Sequence, residues 1–241
     1  MRRLLFFHGR ECYRRNSTVV CYNFFKNISL VLPLFWYGVY NFFSALSLYD
    51  AFIYQLYNIF YSSLPIIVYG IFDREFTDDI LVENRLNYYL QGIEKKLFNT
   101  KVFWSWFIYG TYVSVLLTFL SFQIMETSFV NDSGLTFNFW DTSIMIYGSV
   151  VVICNIHILT MSNTYNALSV LCIAGSVGLY PLTLLIYVNF YQTEFSQNAI
   201  ALTNTEFLTQ FVILCACCLP FFLFEAMKSS IFIFFIIFVK M

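Results

Sequence analysis

The chain has 241 residues, of which 59% are hydrophobic, 22% aromatic and only 11% charged, with a formal net charge of -1. Because soluble domains carry about 25% charged residues, this composition indicates a membrane protein. Its helix-length apolar runs predict an all-α membrane protein and leave little chain for a soluble globular domain. The near-neutral charge balance also argues against nucleic acid as a partner.

Apolar runs of membrane-spanning length recur along almost the whole chain. Each run has about 17 to 25 residues, which is the length that crosses the hydrocarbon core as a helix. We predict a six-span membrane domain over residues 19–225, preceded by a stub, 1–18, and followed by a cytosolic or interfacial tail, 226–241. The predicted spans are 19–43, 51–72, 102–122, 143–161, 169–191 and 207–225.

Positive charges fall on one set of connections only. Every lysine and arginine except Lys26 lies before the first span, in the loop 73–101, or after the sixth span. The connections 44–50, 123–142 and 192–206 carry acidic residues but no lysine or arginine. The positive-inside rule therefore predicts that both termini and the loop 73–101 are cytosolic.

Lys26 is the charged residue inside the first span, and it needs a physical reason. An ammonium well inside a membrane helix costs about 2.5 to 3.5 kcal/mol on insertion scales, so such groups usually face a polar cavity or partner. At 100° per residue, Lys26 shares one stripe with Asn23, Asn27 and Asn41, which runs about 27 Å along the helix. We interpret this stripe as a functional surface.

The second span carries its own polar face. Gln55, Asn58, Ser62 and Pro65 fall within an arc of about 80° on a helical wheel. The alternative interpretation is that these side chains only form hydrogen bonds between helices, which are common in membrane proteins. For the residues of this second face, taken one by one, the interpretation as packing contacts is favoured.

Two prolines are predicted to release backbone carbonyls inside the first two spans. Pro33 leaves the carbonyl of Ser29 without its helical partner, and Pro65 does the same for Tyr61. Freed carbonyls beside a cavity recur in transporter sites, although proline also occurs in ordinary membrane helices.

The remaining candidates favour packing over chemistry. His157, two residues from Asn155, is compatible with a proton relay but is predicted to pack as a neutral imidazole. Cys215 and Cys218 form a C-x-x-C pair without the further ligands that zinc requires. Since the P-loop, nucleophile-elbow and H-E-x-x-H patterns are also missing from the sequence, we predict neither catalytic nor metal-binding residues.

Short strings in a specific order run through nearly the whole chain, most distinctively in its first third. They include His8-Gly9-Arg10, Phe24-Phe25-Lys26-Asn27, Phe35-Trp36-Tyr37, Leu56-Tyr57-Asn58, Ser63-Leu64-Pro65, Asp73-Arg74-Glu75, Leu97-Phe98-Asn99 and Leu219-Pro220. In sequence and spacing they resemble the C-terminal membrane region, helices five to ten, of P4-type phospholipid-transporting ATPases, the lipid flippases.

The resemblance implies a partial P-type ATPase transmembrane domain whose N-terminal stub is the exit from a phosphorylation domain. It implies movement of a phospholipid from the outer to the inner leaflet through a phosphoaspartate intermediate, with ATP and Mg²⁺ required by the complete protein. The implied lipid-path residues are Lys26, Asn27, Asn41 and Asn58. The implied partners are a phospholipid, the N-terminal ATPase half and a two-span glycosylated β-subunit, in the plasma membrane or an endomembrane.

The chain also departs from that family. The D-K-T-G, D-G-E-T and G-D-G-x-N-D motifs are absent from the sequence, so we do not expect this chain alone to couple ATP to transport, and a truncated or split gene model is the simplest expectation. Phe25 stands where the family usually has tyrosine. The tail segment 231–239 is apolar but too short to span a membrane.

Two alternatives remain open from the sequence. The first is a stand-alone six-span transporter or channel, which the aligned polar stripes permit. The second is a non-catalytic interaction module, such as the flippase-like membrane region of some large guanylate cyclases.

Overall fold

The computed structural model describes residues 8–75, 92, 94–126 and 139–190. The first helix, α1, is unusually long at 32 residues. The second predicted span is divided into two α-helices, α2 and α3, by one π-helical turn. The elements are α1 (Gly9–Tyr40), α2 (Ala51–Leu56), the π turn (Tyr57–Tyr61), α3 (Ser63–Phe72), α4 (Thr100–Glu126), α5 (Phe139–Met161) and α6 (Ala167–Phe190).

Within the described ranges, five helical segments have the length and apolar composition to cross a membrane, when α2, the π turn and α3 are counted as one. They correspond to the first five predicted spans, so the prediction of an all-helical fold with helices of membrane-spanning length is confirmed for the described residues. The sixth predicted span, 207–225, and the tail, 226–241, lie outside them. Helix α1 already begins at Gly9, and residues 9–18 of the predicted stub therefore continue the first membrane helix.

Helix α5 occupies the centre of the described bundle. Its residues Ile146, Val150 and Cys154 are completely buried, and its membrane-length window is more buried than that of any other described span. Helix α1 packs most extensively against α4, whereas α3 packs against α6. A largely apolar helix suits this central position, and its buried polar residues, such as Asn155, face neighbouring helices.

Local sequence explains where the second span begins and where its second helix, α3, starts. Asp50 caps α2, since its Oδ1 accepts hydrogen bonds from the amides of Phe52, at 2.9 Å, and Ile53, at 3.2 Å. Pro65 is the third residue of α3, a position whose amide has no acceptor within the helix in any case. Because α3 starts at Ser63, the proline falls in the first turn of a helix, where proline is tolerated.

Gly110 allows the close contact between α1 and α4. A Cβ atom at this position would lie 3.2 Å from Cγ2 of Ile28 and 3.4 Å from Cδ2 of Phe25. We expect Gly110→Leu to destabilise the bundle by about 1 to 3 kcal/mol, the usual cost of overpacking. The measurement is the thermal unfolding midpoint of the purified chain in detergent.

Gly175→Leu is the matched control for this substitution. A Cβ atom at Gly175 meets no atom within 4 Å, and the residue is exposed in the described part of the chain. Leucine is the better helix former, so the control should be neutral or stabilising. Equal unfolding midpoints for the two variants would contradict the close contact between α1 and α4.

Candidate functional site

Lys26 turns its side chain into the bundle rather than toward the exposed surface. The residue is only 6% exposed, and its Nζ donates a hydrogen bond to Oγ of Ser62 at 3.0 Å. Among the described residues no carboxylate lies within ion-pair distance of this ammonium. The buried ammonium therefore has a polar partner, as its cost in a membrane helix requires, but no counter-ion among the described residues.

The π turn surrounds this contact with reciprocal hydrogen bonds to α1. Ser62 Oγ donates to the carbonyl of Tyr57 at 3.0 Å, and the Tyr57 hydroxyl donates to the carbonyl of Lys26 at 3.2 Å. The same hydroxyl lies 3.1 Å from Sγ of Cys154 on α5. Lys26 is thereby connected through both its side chain and its backbone to one irregular turn. Such π turns occur frequently at functional sites.

Asn155 of α5 takes up the carbonyl that Pro65 releases. Its Nδ2 donates to the carbonyl of Tyr61 at 3.0 Å and to that of Val151 at 2.8 Å. The freed Tyr61 carbonyl is therefore bound by a side chain of a neighbouring helix. Two buried polar atoms nearby, Oδ1 of Asn155 and Oγ of Ser29, have no hydrogen-bond partner among the described residues.

The other predicted lipid-path residues do not gather around Lys26. Asn27 and Asn58 are both exposed in the described bundle, as is Gln55, whereas Ser62 on the same predicted face of the second span is buried. Asn41 lies fifteen positions after Lys26, about 22 Å farther along the axis of a helix with a rise of 1.5 Å per residue. The structure thus separates an interior site at Lys26 from an outer site at Asn41.

The outer site is a cavity of about 280 Å³ between the end of α1 and the connection 41–50. Asn41 Nδ2 donates to the Tyr37 hydroxyl at 2.8 Å and also contacts Oγ of Ser44. The connection contains three non-glycine residues with positive φ angles: Phe42 at 50°, Phe43 at 53° and Ala45 at 64°. This backbone geometry is uncommon for such residues and is costly unless the surroundings fix it. The cavity is lined by Leu34, Tyr37, Gly38, Asn41, Phe43, Ser44, Ala45, Leu46, Ser47 and Leu48.

A buried ionic network at the other end of α1 was not predicted from the sequence. Arg14 pairs with Oδ2 of Asp73 at 2.8 Å and with Glu11 at 3.0 Å. The other oxygen of Asp73 accepts the amides of Asn163, at 2.8 Å, and Thr164, at 3.0 Å. Asp73, which is 2% exposed, therefore joins α1, the end of α3 and the turn between α5 and α6. The available signal was an acidic residue ending an apolar span on the arginine-rich side.

His157 is enclosed by aromatic rings, as the packing interpretation requires. The ring centroids of Phe25, Trp106, Tyr109 and Tyr22 lie 4.5, 5.0, 5.6 and 6.4 Å from that of His157. The Cys215 and Cys218 pair lies outside the described residues. Within the described ranges, no group of three or more His, Cys, Asp or Glu side chains is arranged to hold a metal ion.

Comparison with known proteins identifies the family to which this chain is similar. The family model described as phospholipid-translocating P-type ATPase C-terminal matches residues 1–233. The chain is 29% identical over 239 residues to probable phospholipid-transporting ATPase 11 of Arabidopsis thaliana, covering 96% of this chain and 20% of that protein. It is 32% identical over 187 residues to phospholipid-transporting ATPase C887.12 of Schizosaccharomyces pombe, covering 78% and 15%.

A human relative, phospholipid-transporting ATPase ID, is 30% identical over 183 residues, which cover 75% of this chain and 15% of the relative. The chain thus spans a fifth or less of the length of these relatives. The sequence match extends over both the Lys26 site and the Asn41 cavity, because the family model begins at residue 1 and ends at residue 233. This chain belongs to the family of phospholipid-translocating P-type ATPase C-terminal regions.

Proposed function

We propose that this chain is the C-terminal membrane part of an ATP-driven translocase that moves a phospholipid from the outer to the inner leaflet. The observation that carries the proposal is the Lys26 ammonium, which is buried in a membrane helix and bonded to one neutral hydroxyl. A buried charge without a counter-ion is stabilised by an anion that reaches it, and every phospholipid headgroup carries a phosphate.

The two sites of α1 give the lipid headgroup two successive positions. At the outer end, the amide of Asn41 and the hydroxyls of Ser44 and Ser47 line a cavity suited to polar headgroup atoms. Deeper in the bundle, the ammonium of Lys26 supplies charge-assisted hydrogen bonds to phosphate oxygens. Asn27 and Asn58 are exposed, so in this proposal they meet the headgroup or the ATPase half on the open face of the described bundle.

The coupling chemistry belongs to the part of the relatives that this chain does not match. We propose that ATP and Mg²⁺ act there, and we assign no residue of this chain to either. A two-span glycosylated β-subunit is proposed as a partner on the outer side, and the plasma membrane or an endomembrane as the location.

A hybrid transporter tests this function directly. In it, residues 1–241 replace the matching C-terminal segment of the Schizosaccharomyces pombe relative. We expect the purified hybrid to hydrolyse ATP and hydrolysis to rise with added phosphatidylserine, phosphatidylethanolamine or phosphatidylcholine, each titrated separately in detergent micelles. This chain alone and the shortened relative alone should both be inactive.

Two outcomes would overturn the proposal. A correctly inserted hybrid with no lipid-dependent hydrolysis would instead support a membrane module without a transport role. Lipid movement in liposomes that contain only this chain would support a stand-alone transporter.

A further inference from the structure

Ser62 occupies the position at which α3 begins, but its hydroxyl does not cap that helix. Serine is among the best N-cap residues, because its oxygen normally accepts an amide of the first turn. Here Ser62 has φ and ψ of -128° and -17°, and its side chain forms no capping bond. The stabilisation available from a cap, typically about 1 kcal/mol, is therefore not used at this position.

The hydroxyl of Ser62 is oriented toward Lys26 instead. Its proton is donated to the carbonyl of Tyr57, so the oxygen presents its lone pairs to the Lys26 ammonium at 3.0 Å. Ser62 is completely buried, and Lys26 is nearly so. The described residues offer Nζ no other hydrogen-bond acceptor. The position of the ammonium consequently depends on one hydroxyl.

The π turn that directly precedes Ser62 is bound by residues of two further helices. Asn155 of α5 binds the Tyr61 carbonyl at 3.0 Å, and the Tyr61 hydroxyl bonds to Thr183 of α6. Ser62 is therefore a fixed acceptor, whereas Lys26 has a flexible side chain with several rotatable bonds. If a ligand draws the ammonium away, Lys26 is the side chain that moves.

We propose that Ser62 is a positioning residue, which holds the Lys26 ammonium inside the ligand-free bundle and which the phosphate of a phospholipid headgroup must displace. This inference rests on the proposed function, because it takes Lys26 as part of the lipid path. An interaction present only in the ligand-free state weakens ligand binding by its own contribution. Removal of the Ser62 hydroxyl should therefore strengthen the apparent binding of phospholipid.

The test is the lipid concentration that half-activates ATP hydrolysis by the hybrid transporter. A hydrogen bond to a charged group typically changes an equilibrium constant by roughly 10- to 100-fold. We expect Ser62→Ala to lower the half-activating phospholipid concentration about tenfold, with a maximal rate within about twofold of the unmodified hybrid. Ser62→Thr keeps the hydroxyl and should behave as the unmodified hybrid, whereas Ser62→Cys, with a weak acceptor, should be intermediate.

Ser63→Ala is the matched control. Its hydroxyl bonds to the Ile59 carbonyl within the same segment and does not contact Lys26, so the half-activating concentration should stay unchanged. In a Lys26→Ala background, Ser62→Ala should have no further effect, because the contact it removes is already absent. Inorganic phosphate, added without lipid, should not activate hydrolysis.

The possible failures are separable. If the unmodified hybrid shows no lipid-dependent hydrolysis, the proposed function is wrong. If Lys26→Ala leaves lipid activation unchanged, Lys26 is not part of the lipid path, and the role of Ser62 is overturned with it. If Lys26→Ala impairs activation but Ser62→Ala does not lower the half-activating concentration, only the role of Ser62 is overturned. The same follows if Ser62→Ala acts equally in the presence and absence of Lys26. Activation by inorganic phosphate would overturn the lipid headgroup as the source of the anion. Should Ser62→Ala fail to assemble, Ser62→Cys and Ser62→Thr test the role of Ser62 instead. Equal half-activating lipid concentrations for these two variants would overturn it.

Discussion

Replacing Asp73 with alanine is expected to lower the free energy of unfolding by about 3 to 5 kcal/mol, the usual result of removing one partner from a buried ion pair. The substitution leaves Arg14, which is also buried, without its 2.8 Å partner. It also leaves the amides of Asn163 and Thr164 without the acceptor at 2.8 and 3.0 Å that fixes the turn after α5. Three structural elements therefore lose their common contact together.

Glu75→Ala is the matched control for Asp73→Ala. Glu75 contacts Arg10 at 2.7 Å in the same charge cluster, but its side chain is 31% exposed. The Arg10 side chain is 8% exposed but keeps Glu11 at 3.1 Å when Glu75 is removed. This variant should therefore be destabilised much less than Asp73→Ala. Asp73→Asn, which keeps one acceptor oxygen, should fall between the two alanine variants. The measurement is thermal unfolding of the purified chain in detergent. Equal midpoints for Asp73→Ala and Glu75→Ala would contradict the central role of Asp73.

The membrane fold was largely predictable because its main determinant is local in sequence. Each described span is a continuous apolar run, and run length directly measures whether a helix reaches across the hydrocarbon core. The extension of α1 to Gly9 was not predicted, since residues 9–18 are polar and their helix is stabilised by distant partners such as Asp73. The π turn likewise depends on Asn155 and Thr183, which lie far away in the sequence.

The candidate site was predictable residue by residue but not as an arrangement. The cost of a charge in a membrane helix singled out Lys26, and the structure gives it a buried partner. A helical wheel assigns relative angles but not the face that meets the neighbouring helices. It therefore grouped Ser62, which faces Lys26, with Asn58 and Gln55, which are exposed. The ion pair between Arg14 and Asp73 was not predicted, because 59 residues separate the two in the sequence.

Replacing Lys26 with methionine is expected to separate stability from transport. Methionine has a similar length and no charge, so it removes the cost of a buried ammonium with a single neutral partner. The variant should therefore unfold at the same temperature as the unmodified chain or a higher one. In the hybrid transporter, the same substitution should lower phospholipid-stimulated ATP hydrolysis about tenfold or more, because the charge-assisted bonds to the headgroup phosphate are lost.

Lys101→Met is the matched control, because it removes a lysine charge at a position outside the proposed lipid path. Lys101 lies in the first turn of α4 and is exposed, so the loss of its charge should change neither the unfolding temperature nor the lipid-stimulated ATP hydrolysis. Lys26→Arg keeps the charge but adds a larger planar group, and it should retain part of the lipid response. If Lys26→Met lost stability and activity in parallel, the lysine would be a structural group and Ser62 its structural partner. A stable protein with a weakened lipid response would instead show that the buried charge is kept at a cost to stability because the transported lipid requires it.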